Sequence, residues 1–253
     1  MGGSDDAGSA ALEALSGCRR YARWLFELAR PFLGSRVVEA GAGLGTMSAF
    51  LVERPCASVL LTDADPARVE FLRERFGRRE GVSVRAWRLP QPFEPSGPAP
   101  DTFVMWNVLE HVDDDVRALE EMRRALAPGG RVVVVAPAGR WLESPLDRRL
   151  GHFRRYARRE LVRKCAKAGL VPLLERPSNL LGAIGWFVSA RFLGAKTLGP
   201  VSARLFDLAS PVLYRIEVSM PPPIGLSVLV VAERPAWRAR PDRPCGAAGP
   251  RGA

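Results

Sequence analysis

Residues 36–50 read RVVEAGAGLGTMSAF. A β-branched apolar run ends at Glu39–Ala40, and glycines follow at the alternating positions 41, 43 and 45. A helix is expected from about Met47 to Glu53. A strand, a bare loop and a helix in that order let a ligand touch the backbone, because glycine has no side chain to hold it off. A pyrophosphate loop of the G-x-G-x-x-G kind would need its third glycine at position 46, and that position is Thr. Glu39, two residues before the first glycine, suits a ligand with an ammonium group better than one rich in phosphate. Asp63 closes the next apolar run, SVLLT, 22 residues after Gly41. An acid at that place can accept hydrogen bonds from both hydroxyls of a ribose. Together these features ask for a nucleoside that carries an amino-acid cation.

Outward from this stretch, strands and helices alternate. Strands are expected at Val37–Ala40, Ser58–Thr62, Val82–Ala86, Thr102–Trp106, Val132–Ala136, Leu170–Glu175 and Leu226–Ala232. Helices are expected over residues 11–33, Pro66–Phe76, Val116–Leu126 and Arg158–Ala168, from apolar spacing and from stop signals such as Pro31 with Gly34. Continuous apolar strands separated by helices imply a doubly wound α/β sheet covered on both faces. Its ligands should sit beyond the carboxyl ends of the strands. The 50 residues between Glu175 and Leu226 are too many for a plain loop. Their apolar content predicts a helical cap over residues 176–225. The expected organisation is a disordered N-terminus at 1–10, one domain over 11–233 with that cap inserted, and a disordered tail at 234–253.

The stretches VVEAGAGLGT, LLTDADP and MWNVLEHV…LAPGGRVVVVAP resemble class I S-adenosylmethionine-dependent methyltransferases, with the nearest likeness to the ubiquinone-biosynthesis-type small-molecule group. The resemblance implies a Rossmann-like seven-stranded sheet whose last strand is antiparallel, with the helical insertion before that strand. It implies S-adenosyl-L-methionine as cofactor. It assigns Glu39, Gly41 and Gly43 to the methionine part, Asp63 and Ala64 to the ribose side, and Trp106 and Asn107 to the methionyl amine. It places Tyr21 and Arg23 on an N-terminal helix that contacts the carboxylate. Relatives often carry an acid after the third strand for the adenine amino group. Here the stretch is VRAWRLPQPF, so Ala86 and Trp87 are expected to flank the adenine through backbone and ring.

The chain has two histidines, and both fall on the ligand edge. His152, in RRLGHFRRYARREL, is the expected general base, since imidazole can take a proton from a hydroxyl or an amine. His111 is the second candidate, more readily read as pinning its loop while Glu110 caps the next helix with Asp113 and Asp114. By resemblance to an H-x-x-x-F/Y signature, Tyr156 lines the acceptor pocket with His152. Arg154 and Arg155 are expected to hold an acidic acceptor group, and Trp186 belongs to the pocket roof. No metal site is expected, because neither histidine has another near it in sequence.

Composition narrows the classes. The net charge is +10, but residues 148–167 carry +8 and residues 234–253 carry +4, leaving −2 elsewhere. That pattern argues against nucleic acid, which would call for a basic domain throughout. The basic stretch has two readings: the coding bias of an Arg-rich chain (34 of 37 basic residues are Arg), or a local anionic partner. The four cysteines are scattered, and no run of eighteen apolar residues or secretory leader is found. A cytoplasmic enzyme of small-molecule or secondary metabolism is expected, acting on an oxygen, nitrogen or carbon nucleophile. The alternatives are a descendant that binds the cofactor but catalyses a cyclisation or serves as a scaffold, and a membrane-peripheral methyltransferase of a lipid-linked substrate. For the last, the segment NLLGAIGWFVSARFLGAK would rest on the bilayer, with Arg191 and Lys196 reaching the headgroups.

Overall fold

The structure, a computed structural model, describes residues 17–191 and 200–236. The expectations for residues 1–16, for Phe192 and Lys196 and for the tail beyond Trp237 therefore lie outside the described residues.

Seven strands form one sheet in the order β3-β2-β1-β4-β5-β7-β6. They are β1 (Arg36–Ala40), β2 (Ser58–Asp63), β3 (Val82–Ala86), β4 (Thr102–Trp106), β5 (Arg131–Pro137), β6 (Val171–Ser178) and β7 (Ser227–Glu233). β1 to β5 pair in parallel, and β7 is inserted antiparallel between β5 and β6. The expected sheet class, with its last strand reversed, is what the chain forms. β6 runs three residues beyond the expected end, through Ser178, because its ladder with β7 continues to Ser178–Ser227.

Successive residues of a strand face opposite sides, and the core divides accordingly. Val38, Ala40, Phe103, Met105, Val132 and Val134 pack in one cluster. Val37, Val104, Trp106, Val133 and Val135 pack in the other. The first is covered by α4 (Asp115–Ala125) and α6 (Glu160–Lys167), through Leu119, Met122 and Leu161. The second is covered by α1 (Arg19–Ala29), α2 (Ser48–Leu51) and α3 (Pro66–Phe76). Burial of each such Leu, Val or Phe side chain contributes about 1.5–3 kcal/mol. Burial on both faces explains why the strands read as unbroken apolar runs. α3 starts with Pro66 just after Asp65, whose side chain accepts from Ala67 N–H at 2.9 Å.

A short α5 (Pro145–Arg149) follows β5. The expected cap resolves into α7 (Leu180–Arg191) and α8 (Pro200–Ser219). α8 does not roof the sheet edge as a whole. It packs along α1, where Phe206 meets Tyr21 with ring centroids 5.3 Å apart and Tyr214 meets Trp24 at 6.5 Å. Its two acids cap other helices. Asp207 Oδ1 accepts from the N–H groups of Arg20 and Tyr21 at 2.8 and 3.0 Å. The Glu217 carboxylate accepts from Asn179 and Leu180 N–H, each at 2.8 Å. Free N–H groups at helix starts are thereby satisfied from a distant element.

Candidate active site

Gly41, Gly43 and Gly45 all adopt positive φ, at 72°, 56° and 73°. That conformation disfavours any residue with a Cβ. A Cβ on Gly41 would also lie 2.7 Å from Val108 Cγ2, and one on Gly45 would lie 2.5 Å from the Phe76 ring. The glycines are thus demanded by the fold itself. The loop is tied to β2: Ala42 N–H donates to Thr62 O at 2.8 Å, and Gly43 N–H donates to Asp63 Oδ2 at 2.8 Å. Asp63 Oδ1 accepts from Asp65 N–H at 3.0 Å. Asp63, expected to hold a ribose, therefore also shapes the glycine loop, and each of its oxygens keeps a further lone pair.

Glu39 is buried at the end of β1. Its Oε2 accepts from Ser48 Oγ–H at 2.5 Å, while Oε1 has no partner among the described residues. Burial pushes its carboxyl up to about 8, against the Ser48 hydrogen bond and with help from the Asp63 charge. A buried acceptor without a donor is costly, and a cationic ammonium group is what it lacks. An unpartnered buried oxygen beside a bare loop has room for a polar ligand group, as the resemblance implies for the amino-acid end of S-adenosylmethionine. Asn107, at the end of β4, also adopts positive φ, 53°, an uncommon conformation for a non-glycine residue and frequent at functional sites. Trp106 is buried, and its indole nitrogen has no hydrogen-bond acceptor among the described residues. Ala86 stands opposite Asp63 in the β2–β3 ladder, next to half-buried Ala64.

Three assignments need correction. The Trp87 ring lies in the core, edge-on to Phe93 at 4.9 Å and tilted against Phe103 at 5.8 Å, with its N–H donated to Gln91 O. Tyr21 faces α8 and hydrogen-bonds Ser227 Oγ at 3.3 Å, while Arg23 is exposed beside Glu27 and the Phe50 ring. Glu110 does not cap α4; Asp114 does, accepting from Arg117 N–H at 3.0 Å.

Glu110 is instead fully buried with both carboxylate oxygens unpartnered, and burial pushes its carboxyl up to about 8. Around it the fold joins the two histidines, whose rings stand edge to face with centroids 4.8 Å apart. His111 Nδ1 bonds Gly151 O at 3.1 Å, which ties the β4 turn to the segment of His152. His152 Nδ1 bonds Asp147 Oδ1 at 3.0 Å. A carbonyl and a carboxylate only accept, so both Nδ1 atoms carry a proton, and in a neutral ring the lone pair is then on Nε2. His152 Nε2 lies 4.0 Å from Glu110 Oε1. His111 is exposed at one edge, but desolvation of its ring beside the Gly151 segment, then the neighbouring His152, holds the imidazole down to about 4. Burial alone would raise the Asp147 carboxyl. The His152 hydrogen bond and the Arg155 charge outweigh it and hold Asp147 below its ordinary range. Glu110, His111 and His152 can each offer one atom within 4.8 Å of the others, a spacing also open to a metal ion.

The two arginines meant for an acidic acceptor are engaged inside the protein. Arg155 is buried, with Nε 2.8 Å from Asp147 Oδ1 and its guanidinium 4.7 Å from the centre of the Trp186 ring. Arg154 pairs with Asp115 Oδ2 at 2.8 Å. Tyr156 is buried and donates to Asp115 Oδ2 at 3.0 Å, and Lys164 joins the same carboxylate at 2.7 Å. Three of the nine basic residues of the stretch, Arg154, Arg155 and Lys164, are therefore paired within the fold. Trp186 does reach this region, donating to Leu142 O at 3.0 Å. Sequence reasoning missed Asp147, Ser48 and Val108, since nothing in sequence links them to their partners. A cavity of about 380 Å³ opens beside the ends of β5 and β6, lined among others by Trp141, Tyr156, Glu175 and Ile224; neither histidine nor the glycine loop borders it.

Residues 38–132 match the methyltransferase domain family. A 110-residue stretch is 36% identical to the ribosomal protein L11 methyltransferase of Symbiobacterium thermophilum, covering 43% of this chain and 34% of that protein. A stretch of 117 residues is 32% identical to the trans-aconitate 2-methyltransferase of Variovorax paradoxus, covering 45% and 42%. The chain thus spans well under half the length of these curated relatives. Among solved structures, a chain of the Haloferax volcanii complex between the Trm112 methyltransferase activator and a methyltransferase superposes with a TM-score of 0.63. That likeness covers 92% of this chain and 98% of that one at 16% identity. Residues 38–132 therefore carry a methyltransferase domain, and the seven-stranded sheet with its last strand reversed matches the Rossmann-like methyltransferases among the structural neighbours. The cofactor is S-adenosylmethionine. No helix among the described residues is long and apolar enough to cross a membrane.

Proposed function

We propose that the protein methylates a small-molecule acceptor at an oxygen, nitrogen or carbon nucleophile, with His152 as the general base. S-adenosylmethionine would supply an electrophilic methyl group on a sulfonium. Glu39 and the glycine loop would hold its amino-acid end, and Asp63 its ribose. The observation that carries the reading is the hydrogen bond from His152 Nδ1–H to Asp147 on the ligand edge of the sheet. It leaves Nε2 as the proton acceptor, in the role that a carboxylate plays for a catalytic imidazole. The acceptor's X–H proton passes to His152 Nε2 as X gains the methyl group, and Asp147 with Arg155 keeps the ring oriented. Exposed Phe153, next to His152 in sequence, suits an acceptor with an apolar body. The internal pairing of Arg154, Arg155 and Lys164 speaks against an anionic polymer such as nucleic acid. The reading uses no metal.

The test measures S-adenosylmethionine binding by calorimetry, then S-adenosylhomocysteine release against a panel of hydroxylated and amine acceptors. Binding at one site with acceptor-dependent release supports the reading. Binding without release for any acceptor would instead indicate the non-methylating alternative, and no binding would overturn the cofactor assignment.

A further inference from the structure

We propose that the outer face of α8 docks on an anionic lipid surface, a property independent of the methyl-transfer reading. α8 is apolar on two sides. Phe206, Leu213 and Tyr214 pack inward against the core. Val201, Leu205, Leu208, Val212 and Ile216 are 48–70% exposed. At 3.6 residues per turn those five fall within an arc of about 80°. An exposed apolar stripe of four turns exceeds the scattered apolar residues normal for a surface.

Charge selects the occupant. The only acids of α7 and α8 are Asp207 and Glu217. Both are committed to backbone N–H groups of other segments. The charged residues of α8 left at its exposed surface are Arg204 and Arg215. Both lie on one flank of the apolar stripe. An apolar stripe flanked by cations complements an anionic bilayer, into which the Leu and Val side chains insert while the arginines stay at the phosphates. An antiparallel second copy of this face would set arginine against arginine, and a parallel one would leave both arginine flanks without an anionic partner. α7 adds a parallel feature, with Leu181, Ile184 and Val188 exposed at helical spacing and no acid in its sequence.

The experiment sediments the full chain with phosphatidylcholine vesicles, with and without phosphatidylglycerol. Pelleting with the anionic vesicles, weakened by salt, is expected. Leu205→Gln with Leu208→Gln should lower the partition coefficient at least about tenfold, given the free energy of burying such side chains. Arg204→Glu with Arg215→Glu should lower it on anionic vesicles only, and it serves as the surface variant should the leucine pair perturb folding, checked by circular dichroism. Equal pelleting by all variants overturns the proposal. So does failure to bind either vesicle, or a dimer in solution that the leucine substitutions dissolve while vesicle binding is absent.

Discussion

His111 and His152 stand edge to face with ring centroids 4.8 Å apart, although 41 positions separate them in the chain. Each is fixed through Nδ1, one by Gly151 O and one by Asp147. The two therefore differ in role by their partners: a carboxylate can stabilise an imidazolium, whereas a carbonyl chiefly fixes a ring in place. On that basis His152→Ala should cut turnover by about 10²–10⁴-fold with cofactor affinity nearly unchanged. His111→Ala should lower thermal stability more than turnover. Running the same assay with a chelator separates two chemistries. Unchanged turnover is expected for proton transfer; a loss restored by a divalent ion would make Glu110, His111 and His152 ligands instead.

In the proposed reading Asp63 has two tasks, holding the ribose and accepting from the Gly43 and Asp65 N–H groups. Asp63→Ala should weaken S-adenosylmethionine binding by about 1.5–3 kcal/mol and also destabilise the fold by about 1–3 kcal/mol. Calorimetry and thermal melting measure the two separately. An unchanged affinity in a folded variant would remove Asp63 from the ribose site.

The buried Glu110 should give the protein a distinct pH profile. Its carboxyl is raised in the folded state from 4.5 to about 8, so between those values the folded chain holds a proton that the unfolded chain has released. Stability from this group is full below 4.5 and declines as pH rises to about 8. The slope is about 1.4 kcal/mol per pH unit. Glu110→Gln should flatten that part of the curve and make the protein more stable than wild type near pH 8. Melting curves across the range check this, and an unaltered slope would count against it.

Glu39 predicts a proton release. Its carboxyl lies near 8 in the absence of a cation, so it is largely protonated at pH 7. An ammonium group beside Oε1 favours the carboxylate. S-adenosylmethionine binding at pH 7 should therefore expel close to one proton. Calorimetry in buffers of different ionisation enthalpy reads this directly, and Glu39→Gln should abolish the buffer dependence. Binding enthalpies that are the same in every buffer would contradict it.

The sheet was legible because its strands are buried on both faces, which leaves a run such as Val132–Ala136 no polar position to hide its identity. The glycines and Asp63 stood out in the sequence, and the fold itself asks for them: all three glycines take positive φ, and Asp63 holds the loop through Gly43 N–H. What escaped the sequence were contacts between distant segments. Arg155 was expected to hold an acidic acceptor group, but its orientation follows from Asp147 and Trp186, which lie in two other elements. Trp87 ends a strand at the ligand edge, yet Phe93 and Phe103 draw its ring into the core. Glu110 fitted a capping pattern, and only the packing of the two histidine segments shows it to be enclosed. In α8, apolar residues on both faces read as core, and the sequence did not reveal that one face has no cover among the described residues.

The close approach of Gly41 to the Val108 methyl groups ties two positions 67 residues apart into one unit of variation. In a lineage of this chain, a side chain could enter at position 41 only after position 108 had become smaller and the loop backbone had left positive φ. Because Val108 opens the turn that carries Glu110 and His111, such a change would pass directly into the histidine pair. Cofactor loop and proton acceptor would then have to evolve together, and a sequence that altered one alone would be expected to have lost the other's geometry.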